Sequence, residues 1–300
     1  MTTTAIRLSS ALALALSLGA APAALAQVPA ASPSLIVKEV KPGLSMIIGA
    51  GGNTTVRTTS DGVIVVDSKN AGQPIYDALT AGIAQASGGK PVKYLIDTHH
   101  HADHTGNNGR FLAAGVTVIG QKNLPLELAK FVAPASNPTA VAPASPGVTY
   151  DSAYAVKLGG KVARLVHFTP AHTDGDTLVY FPDLKVISTG DEANLTNPNF
   201  DYAGGCSIAG WMASLDQAMT LDWDLAVPGH GDRPMTRAEV MEFRGKLKLL
   251  LDRAREQVKA GTPKAGLIAA IKMDDLWTFP ANFWSAPGRV EGLYAEAGGK

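Results

Sequence analysis

Cysteine is almost missing from this chain. Cys206 is the only one among 300 residues, so no internal disulfide can form and stability must come from a packed core. Charge is sparse as well: Asp, Glu, Lys and Arg make up 17% of the residues, and the formal net charge is zero. That balance argues against nucleic acid or an anionic membrane as a partner. Long apolar runs are lacking beyond the first 26 residues, so no later segment is expected to span a bilayer, which takes about 20 apolar residues. Aromatic residues are few, and Trp211, Trp223, Trp277 and Trp284 are expected in the core rather than on a pocket wall. What is present is 46% apolar residues and 31 glycines, enough for one large domain or two tightly joined halves.

The N-terminus reads as a processing signal. Arg7 precedes the apolar run Ala11 to Leu16, and Ala24-Leu25-Ala26 supplies a small-x-small cleavage site, so residues 1–26 are expected to be a secretory signal peptide. Gln27 follows that site, not a cysteine that could carry a lipid anchor. Without Arg7 the remainder has 25 basic and 26 acidic residues. A periplasmic or extracellular protein is expected, with a linker over residues 27–34.

Short β-branched segments follow, at Leu35 to Val40, Leu44 to Ile48, Thr54 to Thr58 and Val63 to Val66. A helix is predicted from Ile75 to Ala86, a strand from Val92 to Ile96, a helix from Asn107 to Ala114 and a strand from Val116 to Ile119. The stretch from Lys122 to Tyr150 is rich in Ala, Pro and Ser, and after one short helix its prolines should block regular structure. Strands resume at Ala153 to Lys157, Val162 to Phe168, Thr177 to Phe181 and Lys185 to Ser188. A helix from Ile208 to Leu221 and a strand from Asp224 to Val227 come next. Thr236-x-x-Glu239 has the form of a capping box opening a long amphipathic helix, with Val240, Phe243, Leu247, Leu251, Ala254 and Val258 on one face. Strands followed by helix, twice over, suggest two β-rich halves covered by helices.

The chemistry is concentrated at "DTHHHADHTGN", residues 97–107, which holds four of the seven histidines. His99 and His101 sit two apart, so in extended backbone their rings point the same way and can converge on one ion while His100 points elsewhere. Asp103 and His104 follow and can reach a second position. Imidazole and carboxylate suit zinc or another first-row divalent ion, which needs three or four ligands. Further ligands are expected in turns after apolar strands: His172 in PAHTDGD, Asp191 in TGD and His230 in PGHG. His167 is placed inside a strand, and Cys206 is taken as a loop or core cysteine.

The ordered set His99-x-His101-x-Asp103-His104, His172, Asp191, His230 resembles the metallo-β-lactamase superfamily, from about Leu35 to Arg244. The resemblance implies an α+β fold, a four-layer αβ/βα sandwich of two mixed β-sheets with helices on the outer faces and the site at one edge. It would occupy residues 35–262, leaving 263–300 as a C-terminal helical extension. It also implies two divalent metal ions, zinc foremost: His99, His101 and His172 at the first, Asp103, His104 and His230 at the second, and Asp191 bridging both. Asp67 matches the family's aspartate that hydrogen-bonds a ligand histidine and fixes its ring. His100 should bind neither ion.

In such a site a metal-bridging hydroxide attacks, Asp103 orients it, and the residual positive field stabilises the oxyanion. The implied activity is an exported, zinc-dependent, β-lactamase-like hydrolase acting on an amide, lactam, lactone or ester of a small molecule. Asp191 stands where the best-known zinc β-lactamases carry a cysteine, and Asn194 near their substrate-binding lysine, which weighs against efficient β-lactam hydrolysis. A lactonase and a glyoxalase II-like thioesterase remain as alternatives. A di-iron redox protein and a non-catalytic metal-binding module are alternatives of a different class.

Overall fold

The computed structural model describes residues 1–2, 33–133 and 137–299. The expected signal peptide and most of the linker therefore lie outside the described residues, and residues 33–133 and 137–299 belong to one compact unit, Ser32–Lys300.

Seven strands lie side by side in chain order in the first sheet: β1 (Ile36–Lys41), β2 (Leu44–Ile48), β3 (Thr54–Thr58), β4 (Val63–Val66), β5 (Val92–Ile96), β6 (Thr117–Gln121) and β7 (Val148–Tyr150). The first four are antiparallel; β4 to β7 are parallel. The crossovers are α1 (Gln73–Ser87), then α2 (Ala102–Thr105) with α3 (Asn108–Ala113), then α4 (Leu124–Leu128). The second sheet contains β8 (Ala153–Leu158), β9 (Lys161–Val166), β10 (Leu178–Phe181), β11 (Val186–Gly190), β12 (Leu225–Pro228) and β13 (Met235–Thr236), in the order β13-β12-β11-β10-β9-β8. Only β11 and β12 are parallel there. Helix α5 (Ile208–Ala218) connects β11 to β12, and α6 (Arg237–Lys259), α7 (Leu267–Ala270) and α8 (Arg289–Glu296) follow β13.

Side-chain alternation assembles four layers from these elements. In β4, Ile64 and Val66 face the core between the sheets, with Leu44, Met46, Val179, Phe181 and Val227. Val63 and Val65 face the opposite way, into a core shared with Leu79 and Ile83 of α1 and Phe111 of α3. In β10, Val179 and Phe181 point into the central core while Leu178 and Tyr180 point toward α5 and α6. Every layer is thus closed on an apolar face, as the sandwich expectation requires.

Thr236 caps α6 as its sequence implies: its side chain accepts from the Glu239 backbone, and Glu239 reciprocates. The outer core also takes Leu267, Ile271, Leu276, Leu293 and Ala297, so residues beyond 263 pack into the same core as α5 and α6. Trp211 and Trp223 are fully buried there, and Trp277 and Trp284 pack against it.

Three expectations shift. The strand predicted to reach Phe168 ends at Val166, which leaves His167 in the following loop, where its Nδ1 bonds the Asp176 carbonyl at 2.8 Å. The Ala/Pro stretch from 122 to 150 contains β7 after α4, because Val148 to Tyr150 can still pair with β6 once the prolines are passed. Asp103 and His104 lie on the short α2 rather than in a loop; Thr105 Oγ1 donates to the His101 carbonyl and tightens this turn.

Candidate metal centre

The parallel strands put their carboxyl ends at one edge of the sandwich. β4 leads into Asp67, β5 into Asp97-Thr98-His99, β11 into Asp191 and β12 into Gly229-His230, while the loop before β10 brings His172. Residues at the ends of such strands converge without any one loop having to be long.

Three clusters of donors result: two are built from the predicted ligands, and the third, His100, His101 and Asp201, shares His101 with the first of these. In the first, His101 Nδ1 lies 3.1 Å from His99 Nε2 and 3.1 Å from His172 Nε2, and His172 Nε2 is 3.6 Å from Asp191 Oδ2. In the second, His230 Nε2 lies 3.3 Å from Asp103 Oδ2 and 3.4 Å from His104 Nε2. Asp191 Oδ1 is 3.3 Å from both His104 Nε2 and His230 Nε2. One Asp191 oxygen therefore faces each group. All seven sequence-predicted ligands are brought together.

The rings are held from behind. Asp67 Oδ2 accepts from His104 Nδ1 at 2.8 Å and from Thr98 Oγ1 at 2.8 Å, and Asp67 Oδ1 accepts from the Thr98 backbone N–H at 2.8 Å. His172 Nδ1 donates to the Asn199 carbonyl at 2.8 Å, and His101 Nε2 to Asp201 Oδ2 at 2.9 Å. The opposite nitrogens, His104 Nε2, His172 Nε2 and His101 Nδ1, are thereby turned into the site. Glycine makes the approach possible: a Cβ on Gly52 would overlap the His104 ring, and one on Gly229 would overlap Asp191 Oδ1.

Electrostatics divide the two groups. Burial, with the charge of His104 next to it, pushes His99 well below its ordinary pKa; burial takes His172 down to about 3. These rings are neutral, the form in which imidazole binds metal. His104 and His230 behave oppositely. Burial would lower His104, but Asp191, Asp67 and Asp103 outweigh it and hold it well above its usual value. Burial is likewise outweighed at His230, where Asp103 and Asp191 lift it to about 9. Burial would raise Asp103 and Asp191, but the neighbouring His104 and His230 keep both below the usual carboxylate range.

Asp191 Oδ1 is buried, and no donor reaches it in hydrogen-bonding geometry. Three ring nitrogens also crowd together at 3.1 Å in the first group. An unpartnered buried carboxylate oxygen and facing lone pairs are costly unless a cation lies among them. The donor set, imidazole nitrogen with carboxylate oxygen, fits divalent zinc or a related ion.

His100 turns away from both groups; its Nε2 lies 3.3 Å from Asp201 Oδ2, and it lines the neighbouring cavity. Cys206 is buried, and burial followed by the charge of Glu296 raises its thiol pKa. Asn194, buried, accepts from the His230 backbone N–H at 2.8 Å and so positions the His230 turn.

Asn199 and Asp201 escaped the sequence reading. Nothing in Asn199-Phe200-Asp201 marks a partner 100 positions from His101, since the link is made only by folding. Asp97 and Lys69 were missed as well. Burial, then the charge of Asp67, raises Asp97 well above the carboxylate range, and Lys69 donates to the Ile47 and Gly52 carbonyls at 3.0 and 2.9 Å from a fully buried position. Asp97 stood in the quoted motif, but no local pattern separates a buried support from a ligand.

Known proteins bear on this arrangement. The sandwich superposes on a metallo-β-lactamase from Pontibacter korlensis with a TM-score of 0.61 and 18% identity, covering 72% of this chain and 99% of that one. A stereoselective inverting sec-alkylsulfatase from Pseudomonas sp. gives 0.65 and 17%, over 87% of this chain and 49% of that protein. In sequence, a hydroxyacylglutathione hydrolase of Brucella anthropi is 26% identical over 235 residues, 75% of this chain and 78% of that protein. The alpha subunit of a 2,4-dinitroanisole O-demethylase from Nocardioides sp. is 28% identical over 141 residues; that match takes in 47% of this chain and only 41% of the relative. The family model for the metallo-beta-lactamase superfamily matches residues 48–230, a span running from β2 to the last of the seven gathered side chains. The chain belongs to the metallo-β-lactamase superfamily.

Proposed function

We propose that this protein is an exported hydrolase that holds two divalent cations, zinc foremost, and cleaves an amide, lactam, lactone or ester bond in a small molecule with activated water. The observation that carries the reading is the Asp191 carboxylate, whose two oxygens face two separate donor groups and whose buried Oδ1 lies 3.3 Å from both His104 Nε2 and His230 Nε2 without an aligned hydrogen bond. Export rests on the N-terminal stretch from Arg7 to Ala26.

His99, His101 and His172, with Asp191 Oδ2, would hold the first cation; Asp103, His104 and His230, with Asp191 Oδ1, the second. Two such cations supply Lewis acidity, making water a nucleophile near neutral pH and polarising the carbonyl it attacks. Asp103 is the part-exposed carboxylate of the set, its side chain 32% accessible, and it is kept ionised by His104 and His230. It accepts a hydrogen bond from the attacking water, aims its lone pair at the acyl carbon and carries its proton toward the leaving group. Asp67, Asn199 and Asp201 hold His104, His172 and His101 in register.

The likeness to hydroxyacylglutathione hydrolase over three quarters of both chains supports acyl-bond cleavage. The basic residues of α6 do not support a glutathione site: Arg253 pairs with Asp275, Lys248 with Asp252 and Lys246 with Glu242. Nor does Asn194 serve a β-lactam carboxylate, because its side chain is buried and committed to the His230 turn.

The test is a panel of β-lactams, lactones, esters and thioesters, assayed with and without chelator on protein of measured metal content, for wild type and Asp103→Asn. The expected result is chelator-sensitive hydrolysis that falls at least about a hundredfold in a folded Asp103→Asn protein. A variant that keeps full activity on every cleaved substrate would falsify the assigned role of Asp103.

A further inference from the structure

Beside the His101 side of the site opens a cavity of about 480 Å³, within the usual range of about 300–1,000 Å³ for small-molecule pockets. Its walls are Leu128 at the end of α4, Phe131 and Val132 just after it, and Pro143 further along the same Ala/Pro stretch. His100 and Ala203 also line it. Val132 is 84% exposed on this wall, an apolar side chain left bare in water.

The charged groups of the lining are already committed. Lys130 is its one Lys or Arg, and Lys130 Nζ pairs with Glu127 Oε1 at 2.6 Å. Glu127 is the buried member, so an incoming anion that drew Lys130 away would leave a buried carboxylate without its cation. Asp201 accepts from His101 Nε2 and from the Gly204 backbone N–H, with His100 Nε2 at 3.3 Å. An anion here would meet the carboxylates of Glu127 and Asp201, while the lysine of the lining is already paired.

We propose, on the basis of the hydrolase reading, that this cavity receives an uncharged apolar acyl or alkyl arm of the substrate and selects against substrates carrying a carboxylate on that arm. Phe131 and Leu128 are the specificity-determining contacts, and the bound arm covers Val132. A substrate whose acyl carbon lies against the paired donor groups has one substituent directed past His101 into this space. The substrate class is thus a neutral ester or lactone with an aliphatic arm, as opposed to a β-lactam acid or a glutathione conjugate.

Two readouts separate this inference from the hydrolase reading. The first is kcat/KM of the metal-loaded protein on p-nitrophenyl acetate, butanoate and hexanoate, and on the adipic mono-p-nitrophenyl ester. The second, independent of turnover, is the affinity of aceto-, butano- and hexanohydroxamate and of adipic monohydroxamate, measured by calorimetry. Each fully buried methylene multiplies affinity about fourfold, so four methylenes in a half-open cavity should give at least about tenfold from the two-carbon to the six-carbon member. The ω-carboxylated member should fall about tenfold below its neutral counterpart, and Phe131→Ala should flatten the chain-length dependence in both series. If esters are cleaved with no dependence on chain length, or the carboxylated member is preferred, the cavity assignment fails while the hydrolase stands. If no ester is cleaved but hydroxamate affinity still climbs with chain length and flattens in Phe131→Ala, the cavity assignment stands and ester hydrolysis fails.

Discussion

Asp67 Oδ2 accepts the Nδ1–H of His104 at 2.8 Å, and both side chains are buried to within 1% of completely. Asp67 also occupies a left-handed conformation, φ 65°, which a non-glycine residue adopts only when its surroundings hold it there. The backbone turn that ends β4 and the ring orientation at the second donor group are therefore one feature. Asp67→Ala should leave a folded protein whose second cation binds about 10–100-fold more weakly, with the first much less affected. Stepwise titration against a chromophoric chelator measures both constants. Equal weakening of the two would mean that Asp67 serves the fold as a whole.

The two groups should also differ in their response to pH. His99 and His172 are already neutral at working pH, so filling the first group displaces no proton from them. His230 is lifted to about 9 and His104 well above its ordinary value, so below about pH 9 the second group carries protons that a cation must expel. Affinity at the second group should therefore rise as pH increases from 6 toward 9, about tenfold per unit for each proton released. Affinity at the first should change less over that range, because neither His99 nor His172 has a proton to release. Calorimetry in buffers of different ionisation enthalpy counts the protons directly.

How far the sequence disclosed this site depended on the range of the signal. Val63 to Val66 is a continuous β-branched run, and the structure buries both its faces, as such runs imply. The Thr236-x-x-Glu239 box located the start of α6 to the residue. The stacking of two sheets face to face is not contained in any period of the sequence; the ordered His/Asp set supplied it through a resemblance. β7 and β13, three and two residues long, are too short to show alternation. The packing of Leu267, Ile271, Leu276 and Leu293 into the outer core was hidden for a related reason: beyond the single helical step from Leu267 to Ile271, their spacing follows neither a helical nor a strand period.

Gly229 offers a steric test of the bridging carboxylate. Its missing Cβ leaves room for Asp191 Oδ1, while the Gly229 backbone N–H donates to the Gly190 carbonyl at 2.8 Å and locks the β11 and β12 ends together. Gly229→Ala must displace Asp191 or separate those strand ends. Loss of more than about tenfold in affinity for both cations is expected, because one carboxylate serves both groups. The circular dichroism spectrum should remain that of the wild type. Retention of both affinities would show that the Asp191 oxygens are not both needed.

Glu296 ties the C-terminal end of the chain to the loop behind the first donor group. Its Oε1 accepts from Ala209 N–H at 2.8 Å and from Ser207 Oγ at 3.1 Å; its Oε2 accepts from Ile208 N–H at 3.0 Å and from Tyr202 Oη at 2.9 Å. The carboxylate thus sits on the exposed N–H groups that open α5, where a negative charge is favoured. Arg289, also on α8, donates to Asn199 Oδ1, and the Asn199 carbonyl holds His172. Removing the Glu296 carboxylate frees the segment that carries both Asn199 and Asp201, the two acceptors behind His172 and His101. Glu296→Ala should cost about 1–3 kcal/mol of stability by denaturant titration of the metal-free protein, since several donors lose their partner at once. Glu296→Gln, which keeps the acceptor but not the charge, should cost less than half of that. Both should weaken the first cation more than the second, because His104 and His230 rest on Asp67 and Asn194 instead. A Glu296→Ala protein that is destabilised yet binds both cations as the wild type does would confine the tie to folding and separate it from the centre.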